Sequence, residues 1–555
     1  MENGLLLFAA VLSGLCAVLS LIPAHSGRVK TVIRILWAAS AAAVVSATVL
    51  MIVLQILCKF EYQYVCSHVS RDTELIYRVS ALWSGQEGSF LLWALIMGVM
   101  GFFVPLAKGK RANKTFGIYS AISLCIYLMC FASGPFKKMD ITPFDGLGLT
   151  EALKDPWMII HPPLVFISYS AMAVLFSLSG TISGNNPNAS SDRIIFWLRV
   201  SWLFLGFGIL SGSIWAYRAL GWGGYWAWDP IENAALVPWL VLCGYLHCKE
   251  CNKYQMCIIP FLIACFGTFL ARSGILKEQS AHAYSDGNAV VTGMIICYIL
   301  GTALFLIFKK LRGRVKEKHA ATAPLSDMRD MRKVFYIISG YAALIFAGTI
   351  APLILNIEIT TAYYTTASVI FVLTYSGMLL KMEHCRLKKR SIPMAVISTA
   401  LVIAIMVISG SGKFGWLMLL WVCLMPVSLW VASGFPRGWE FYLPHFGVTL
   451  LIVGAVASSA LCGSALAVTA ADSDHAVVAG VEIPLSELSE KDVLIKSLPA
   501  GDVIIRCSQI SDLPRGGLLI PYETKPLIIF FWIGGFAVTA SPLTFIISER
   551  FKKKK

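Results

Sequence analysis

The feature that most constrains this chain is a long succession of apolar runs, each about 20 residues, the length of a helix that crosses a bilayer. Runs lie near residues 4–24, 33–57, 89–107, 116–133, 160–182, 194–216, 233–248, 256–273, 289–308, 335–355, 364–381, 392–410, 416–433, 445–463 and 526–547. In hydrocarbon every backbone N–H and C=O must be satisfied within its own segment or a closed barrel, so runs of this length read as helices. The expected fold is an all-α polytopic membrane protein of about fifteen transmembrane helices, in keeping with 57% hydrophobic and 14% charged residues.

The charge pattern orients these helices. The net charge of +15 sits in short clusters between apolar runs: Arg28 to Arg34, Lys108 to Lys114, Lys309 to Arg332, Lys381 to Arg390 and Arg550 to Lys555. All follow odd-numbered runs, as the positive-inside rule expects of cytoplasmic loops, and nucleic-acid binding is excluded as their explanation. The N-terminus is then expected outside and the C-terminus in the cytoplasm. Met1-Glu2-Asn3 lacks the basic start of a signal peptide, so the first run is expected to be retained. Residues 463–523 break the apolar rhythm with β-branched, turn-punctuated pieces, HAVVAGVEI, DVLIKSL and GDVIIRCSQI. They read as a small β-rich extracytoplasmic domain; a disordered loop is the alternative. The expected organisation is a bundle over 1–462, this domain over 463–523, and a last helix with a basic tail over 524–555.

The most distinctive stretch runs from Trp215 to His247. Trp215, Trp222, Tyr225, Trp226 and Trp228 crowd around Gly221, Gly223 and Gly224, and the run ends on Asp229 and Glu232. Glycine at this density is poor helix core, whereas indoles on a permissive backbone offer a flat face to a large planar ligand. The competing reading is an aromatic belt at the membrane surface. Of nine histidines, His25, His68, His319, His384 and His475 fall in polar loops without a surrounding motif and read as bystanders. His161, before Pro162 and Pro163 at the outer end of a run, and His282, beyond the run that follows the tryptophans, both fall outside. The first proline is expected to keep His161 out of α geometry, at a fixed helix start. His247 and His445 sit at the inner boundary, where ionisable side chains are costly. A zinc reading of His247-Cys248-x-x-Cys251 is a weaker alternative, as no second half lies nearby. The 15 cysteines sit mostly within apolar runs and suggest no disulfide framework. Because no Cys-x-x-Cys-His occurs, the chain is not itself a c-type cytochrome.

The run WGGYWAWDP resembles the tryptophan-rich WWD signature of haem-handling proteins, and WAYRALGWGGYWAWDPIENAALVPWL resembles that of the CcmF-type cytochrome c haem lyases. Tyr225 departs from the family pattern, where a further Trp is common. The likeness extends from Tyr77 to Gly535, and residues 463–523 look shorter than in many relatives. The resemblance implies that haem is attached through thioethers to the Cys-x-x-Cys-His motifs of apocytochrome c. It implies a substrate haem on Trp222, Trp226 and Trp228 with His161 and His282 as axial ligands. It also implies a haem b between His247 and His445 that passes electrons from a quinol to the substrate iron. Asp229, Glu232, Arg218 and Arg272 would meet haem propionates, orient loops or form ion pairs. Implied partners are a CcmE-like haem chaperone and a CcmH-like thiol-reducing protein, in a bacterial inner membrane. Two further readings stay open: a haem transporter or export channel, and a quinol–haem oxidoreductase without ligation activity.

Overall fold

The structure, a computed structural model, describes residues 2–22, 27–104, 112–180, 182, 191–219, 224–248, 251–277, 280, 291–296, 299, 301, 325–387, 400, 424–428, 430–431, 434–435, 438–470, 473–489, 493–499, 501–513 and 517–552. Among the described residues eleven helices are long and apolar enough to cross a membrane, and they coincide with eleven of the apolar runs. A twelfth run lies on the helix Pro230–His247. The runs near 289–308, 392–410 and 416–433 fall mostly outside the described residues.

The chain divides into two compact units, Met1–Ile209 with Trp228–Glu358, and Leu210–Ala227 with Ile359–Lys555. The first contains α1 Glu2–Leu19, α2 Gly27–Ile56, α3 Gln63–His68, α4 Leu75–Ser80, α5 Gln86–Met100, α6 Ala112–Ser133 and α7 Pro156–Leu178. It continues through most of α8 Ser191–Ala219, then α9 Pro230–His247, α10 Lys253–Arg272 and α11 Leu325–Leu355. Buried hydroxyls and an indole link these helices to their neighbours. Ser13 donates to the Ser120 carbonyl at 2.9 Å, Ser40 to Ala9 at 2.8 Å, Ser168 to Ser201 at 2.7 Å, and the Trp37 Nε1–H to Gly98 at 3.1 Å. Lipid is as apolar as leucine, so polar contacts and close packing hold such helices together. The apolar outer face of α1, Leu7, Phe8, Val11, Leu15 and Val18, stays exposed, as a lipid-facing stripe would.

The second unit holds the end of α8, then α12 Thr361–Leu387 and α13 Trp439–Ala460. It continues with β1 Gly463–Thr469, β2 His475–Val478, β3 Val481–Pro484, α14 Leu485–Ser489, β4 Val493–Leu498, β5 Gly501–Arg506, β6 Ser511–Asp512, β7 Leu518–Pro526 and α15 Ile528–Lys552. Helices α13 and α15 approach backbone to backbone: a Cβ on Gly454 would overlap the Phe531 amide, and one on Gly534 the Leu451 amide.

The expected β-rich region is an antiparallel sheet of order β1-β7-β5-β4, with β6 on β7 and a separate β2-β3 hairpin. That hairpin turns at Ala479 and Gly480, with φ of 52° and 79°, the paired left-handed residues that match strand twist in a two-residue turn. Val478, Ile483, Leu494, Val503, Ile505 and Ile520 fill the sheet's core. The remaining apolar residue of β5, Ile504, joins Tyr217, Ile528 and Phe531 beside Tyr225, Val493 and Trp532, so the sheet is seated on the helices of its own unit. At this seat the Tyr217 hydroxyl donates to Asp502 Oδ2 at 2.9 Å, a buried pair.

Candidate functional site

The tryptophan signature is built in two parts. In the second unit, Tyr225 lies 4.0 Å, centroid to centroid, from Phe531 at a 36° tilt, and its hydroxyl reaches the Ala455 carbonyl at 3.4 Å. Burial pushes this phenol up, so it stays a neutral donor. The tyrosine at this position therefore keeps the ring contact and adds a tether to α13. Trp226 and Trp228 are both half-buried. Trp222 lies outside the described residues, as do Gly221, Gly223 and the external histidine candidate His282.

In the first unit, the signature turns into α9 at a strained residue. Trp228 has a φ of 59°, in the left-handed region that a bulky side chain adopts at a cost of about 1–3 kcal/mol. Its carbonyl accepts from Asn233 Nδ2 at 3.1 Å, and Asn233 is wholly buried. The next residue, Asp229, caps α9: its Oδ1 accepts from Ile231 N at 2.8 Å, while Glu232 Oε2 accepts from Asp229 N at 3.2 Å, completing a capping box with Pro230 in the first turn. Such a cap contributes about 1 kcal/mol and fixes where the helix begins. Asp229 Oδ1 also accepts from Ser280 Oγ at 2.8 Å, both side chains being buried. Asp229 thus ties the tryptophan signature to the chain two residues before His282.

His161 is in the second turn of α7 and not at a helix start. Asp155 caps that helix by accepting from Trp157 N at 2.8 Å, and Pro156 occupies its first turn, so the helix begins before the proline pair. Pro162 has no N–H to give to the Met158 carbonyl; the Trp83 indole supplies one at 3.2 Å, which makes the interior proline tolerable. The His161 Nδ1–H donates to the Gly208 carbonyl of α8 at 2.7 Å. A Cβ on Gly208 would sit 2.8 Å from Val165 Cγ2, so the two helices are close-packed at this point.

His247, the last residue of α9, donates from Nδ1 to the Cys243 carbonyl at 2.9 Å, and His445 from Nδ1 to the Phe441 carbonyl at 2.6 Å. A carbonyl can only accept, so each of these three imidazoles carries its proton on Nδ1 when neutral. The lone pair is then on Nε2, the tautomer a metal-ligating histidine takes when its second nitrogen is held by a carbonyl. His445 lies in the second turn of α13, since that helix begins at Trp439 after the Gly438 cap.

Three comparisons with known proteins bear on this arrangement. The family model described as "Cytochrome C assembly protein" matches residues 83–277. The chain is 32% identical over 314 residues to the cytochrome c-type biogenesis protein ccl1 of Rhodobacter capsulatus, covering 53% of this chain and 47% of that one. It is 26% identical to NrfE of Haemophilus influenzae, covering 89% and 90%, and 27% identical to CcmF of Escherichia coli, covering 71% and 67%. The chain therefore spans about half the length of ccl1 and nearly all of NrfE. A solved structure described as "Cytochrome c Heme Lyase CcmF" shares the fold at a TM-score of 0.71 and 19% identity, over 98% of this chain and 96% of that one. Residues 83–277 thus match the cytochrome c assembly family, and the chain as a whole shares the fold of the CcmF structure.

The matched segment contains the signature, His161 and His247, whereas His445 lies beyond it. Several residues that hold the site escaped the sequence reading. Asn233 and Ser280 carry no pattern of their own and are found only through their contacts. The capping role of Asp229 and Glu232 went unread as well, although Asp-Pro-x-Glu before an apolar run is a helix-start signal. Arg272 is buried, with Nη1 donating to Ser89 Oγ at 2.8 Å and to the Gln86 carbonyl at 3.3 Å, and its guanidinium carbon 4.3 Å from the Phe90 ring centroid. It orients the start of α5 against the end of α10. Arg218 is exposed. Cys248 and Cys251 are joined to each other in a disulfide, which withdraws both sulfurs from the zinc reading. Among the described residues no group of three or more His, Cys, Asp or Glu could hold a metal ion.

Proposed function

We propose that this chain is a haem lyase that joins haem to the Cys-x-x-Cys-His motifs of apocytochrome c. A cysteine thiol of the apocytochrome adds across a haem vinyl group: the sulfur bonds to one vinyl carbon, the thiol hydrogen ends on the other, and no electrons are exchanged. Such chemistry asks the protein mainly for orientation and exclusion of competing reactions. His161 would bind the substrate haem by its Nε2 atom with His282 as the second ligand, and Trp222, Trp226 and Trp228 would cover its face. Asp229 and Glu232 act as positioning residues: their carboxylates are engaged in the α9 cap, and Asp229 holds the chain leading to His282.

The observation that carries this reading is the shared tautomer of His161, His247 and His445, with Nδ1 donating to a backbone carbonyl in each. For His247 and His445 this fits residues that would hold the iron of a haem b, which when bound would supply one-electron chemistry that keeps substrate iron reduced. A quinol is the proposed electron source. A CcmE-like haem chaperone and a CcmH-like thiol-reducing protein are the proposed partners, at the outer face of a bacterial inner membrane.

The test is the oxidised and reduced absorption spectrum of the purified protein, with haem quantified as the pyridine haemochrome, beside maturation of a co-expressed apocytochrome. Wild type should carry non-covalent b-type haem and mature the reporter. His247→Ala and His445→Ala should lose that haem, and His161→Ala should lose maturation while keeping it. A wild type without b-haem, or His161→Ala maturing the reporter at the wild-type rate, would overturn the assignment.

A further inference from the structure

The turn that joins α9 to α10 holds a feature the lyase reading leaves unused. Cys248, which caps α9 immediately after His247, is bonded to Cys251, with their Cα atoms 5.4 Å apart. The ten other cysteines whose side chains are described are free thiols, so among them the pairing is particular to this turn. Its contribution to stability is small: a bridge closing two intervening residues removes little freedom from the unfolded chain. The helices it joins are also packed without it, with Gly267 of α10 so near Ala234 of α9 that a Cβ would lie 3.1 Å from the Ala234 carbonyl.

The two sulfurs are placed unequally. Cys248 is 3% exposed, whereas Cys251 is partly exposed. Cys251 directly precedes Asn252, which caps α10 by accepting from Tyr254 N at 2.9 Å and Gln255 N at 3.2 Å, and Lys253 opens the helix. A helix N-terminus beside a lysine stabilises a thiolate.

We propose that Cys248 and Cys251 form a thiol–disulfide exchange centre, reduced by a dithiol partner and reoxidised by a disulfide. A partner thiolate attacks the accessible Cys251 sulfur, the Cys248–Cys251 bond breaks, and Cys248 leaves as a thiolate that takes up a proton. The partner's second thiol then attacks its own sulfur in the mixed disulfide, releasing Cys251 as a thiolate at the start of α10. In sum two electrons pass from the dithiol to the pair, the proton of the partner's second thiol is balanced by the one Cys248 takes up, and the partner leaves as a disulfide.

The experiment equilibrates the full-length protein, folded in detergent, with graded ratios of reduced to oxidised dithiothreitol. Exchange is then stopped with acid, and the thiols are alkylated with excess maleimide in denaturant near neutral pH and counted by mass. The expected result is one reversible two-electron transition in which the number of modified cysteines changes by two, at Cys248 and Cys251. The Cys248→Ser/Cys251→Ser double variant should show no such change. A bridge that survives the most reducing ratio while the protein stays folded, or a pair that remains as thiols at the most oxidising ratio, would overturn the proposal.

Discussion

His68 in α3 and His445 in α13 are built almost identically. Each imidazole stacks on the aromatic ring one turn earlier, Tyr64 at 4.3 Å and 26°, Phe441 at 4.3 Å and 24°. Each Nδ1–H donates to the carbonyl of that same residue, at 2.9 Å and 2.6 Å. The likeness follows from helical spacing, which puts residues four apart on one face. The surroundings differ. A Cβ on Gly85 would sit 2.5 Å from His68 Nε2, so the backbone before α5 closes that side of the ring. Tyr64 adds a hydroxyl that donates to the carbonyls of Ala81 and Leu82, at 3.0 and 2.9 Å, and accepts from Gly85 N at 3.0 Å. Phe441 has no such group. A histidine's own hydrogen bond therefore marks its tautomer, and what meets its other nitrogen decides whether it can hold iron.

The largest expected difference is in haem. Under the lyase reading, His445→Ala lowers haem affinity on the order of 10–100-fold or more, and His68→Ala leaves haem content unchanged. Pyridine haemochrome quantitation of both variants checks this, and the comparison breaks if the folded His68→Ala protein is the one that loses haem. Gly85→Ala comes next. The added methyl would also lie 2.8 Å from Tyr64 Cε2, so relief requires moving two stacked rings, at about 1–3 kcal/mol. Its thermal midpoint in detergent should fall while its haem spectrum stays that of the wild type; an unchanged midpoint means the His68 pocket has room.

The same contrast explains what the sequence revealed. Apolar runs gave eleven spans directly, because length and hydropathy are local properties. The strands near 475–484 and 493–506 were legible from β-branched residues and turns, although the last strand runs on to Pro526 before α15 begins. His68 read as a bystander in a polar loop because α3 is only six residues long, and its cover comes from Gly85, in a separate element. The Asp229–Ser280 bond is tertiary in the same way, whereas the left-handed Trp228 and its Asn233 tether are local but follow no turn or helix pattern the sequence announces. The paired prolines misled in the opposite direction, since the lost bond at Pro162 is replaced by Trp83, 75 residues before the carbonyl it reaches.

Tyr64→Phe sharpens the comparison further by making the His68 helix resemble that of His445. It removes the hydroxyl and leaves the buried Gly85 N–H without its partner, for a loss of about 1–2 kcal/mol. Denaturant unfolding should show a lower midpoint at an unchanged slope, and Phe441→Leu should not reproduce it.

The smallest effect is the pH dependence of stability. Burial holds the His68 imidazolium below the usual histidine range, a shift partly offset by the Tyr64 carbonyl and the charge of Glu87. The folded pKa is therefore below that of the unfolded chain, about 6.5. Above that value neither state binds the proton and the contribution of His68 is complete. As pH falls through the window between the two values, the unfolded chain takes up a proton that the folded chain refuses, and stability declines until the folded value is passed. Unfolding midpoints at pH 7.5 and 5.5 should separate more for wild type than for His68→Gln, which cannot titrate. Equal separations would mean that the ring in α3 is as open to protons as a surface histidine, and that Gly85 does not seal it.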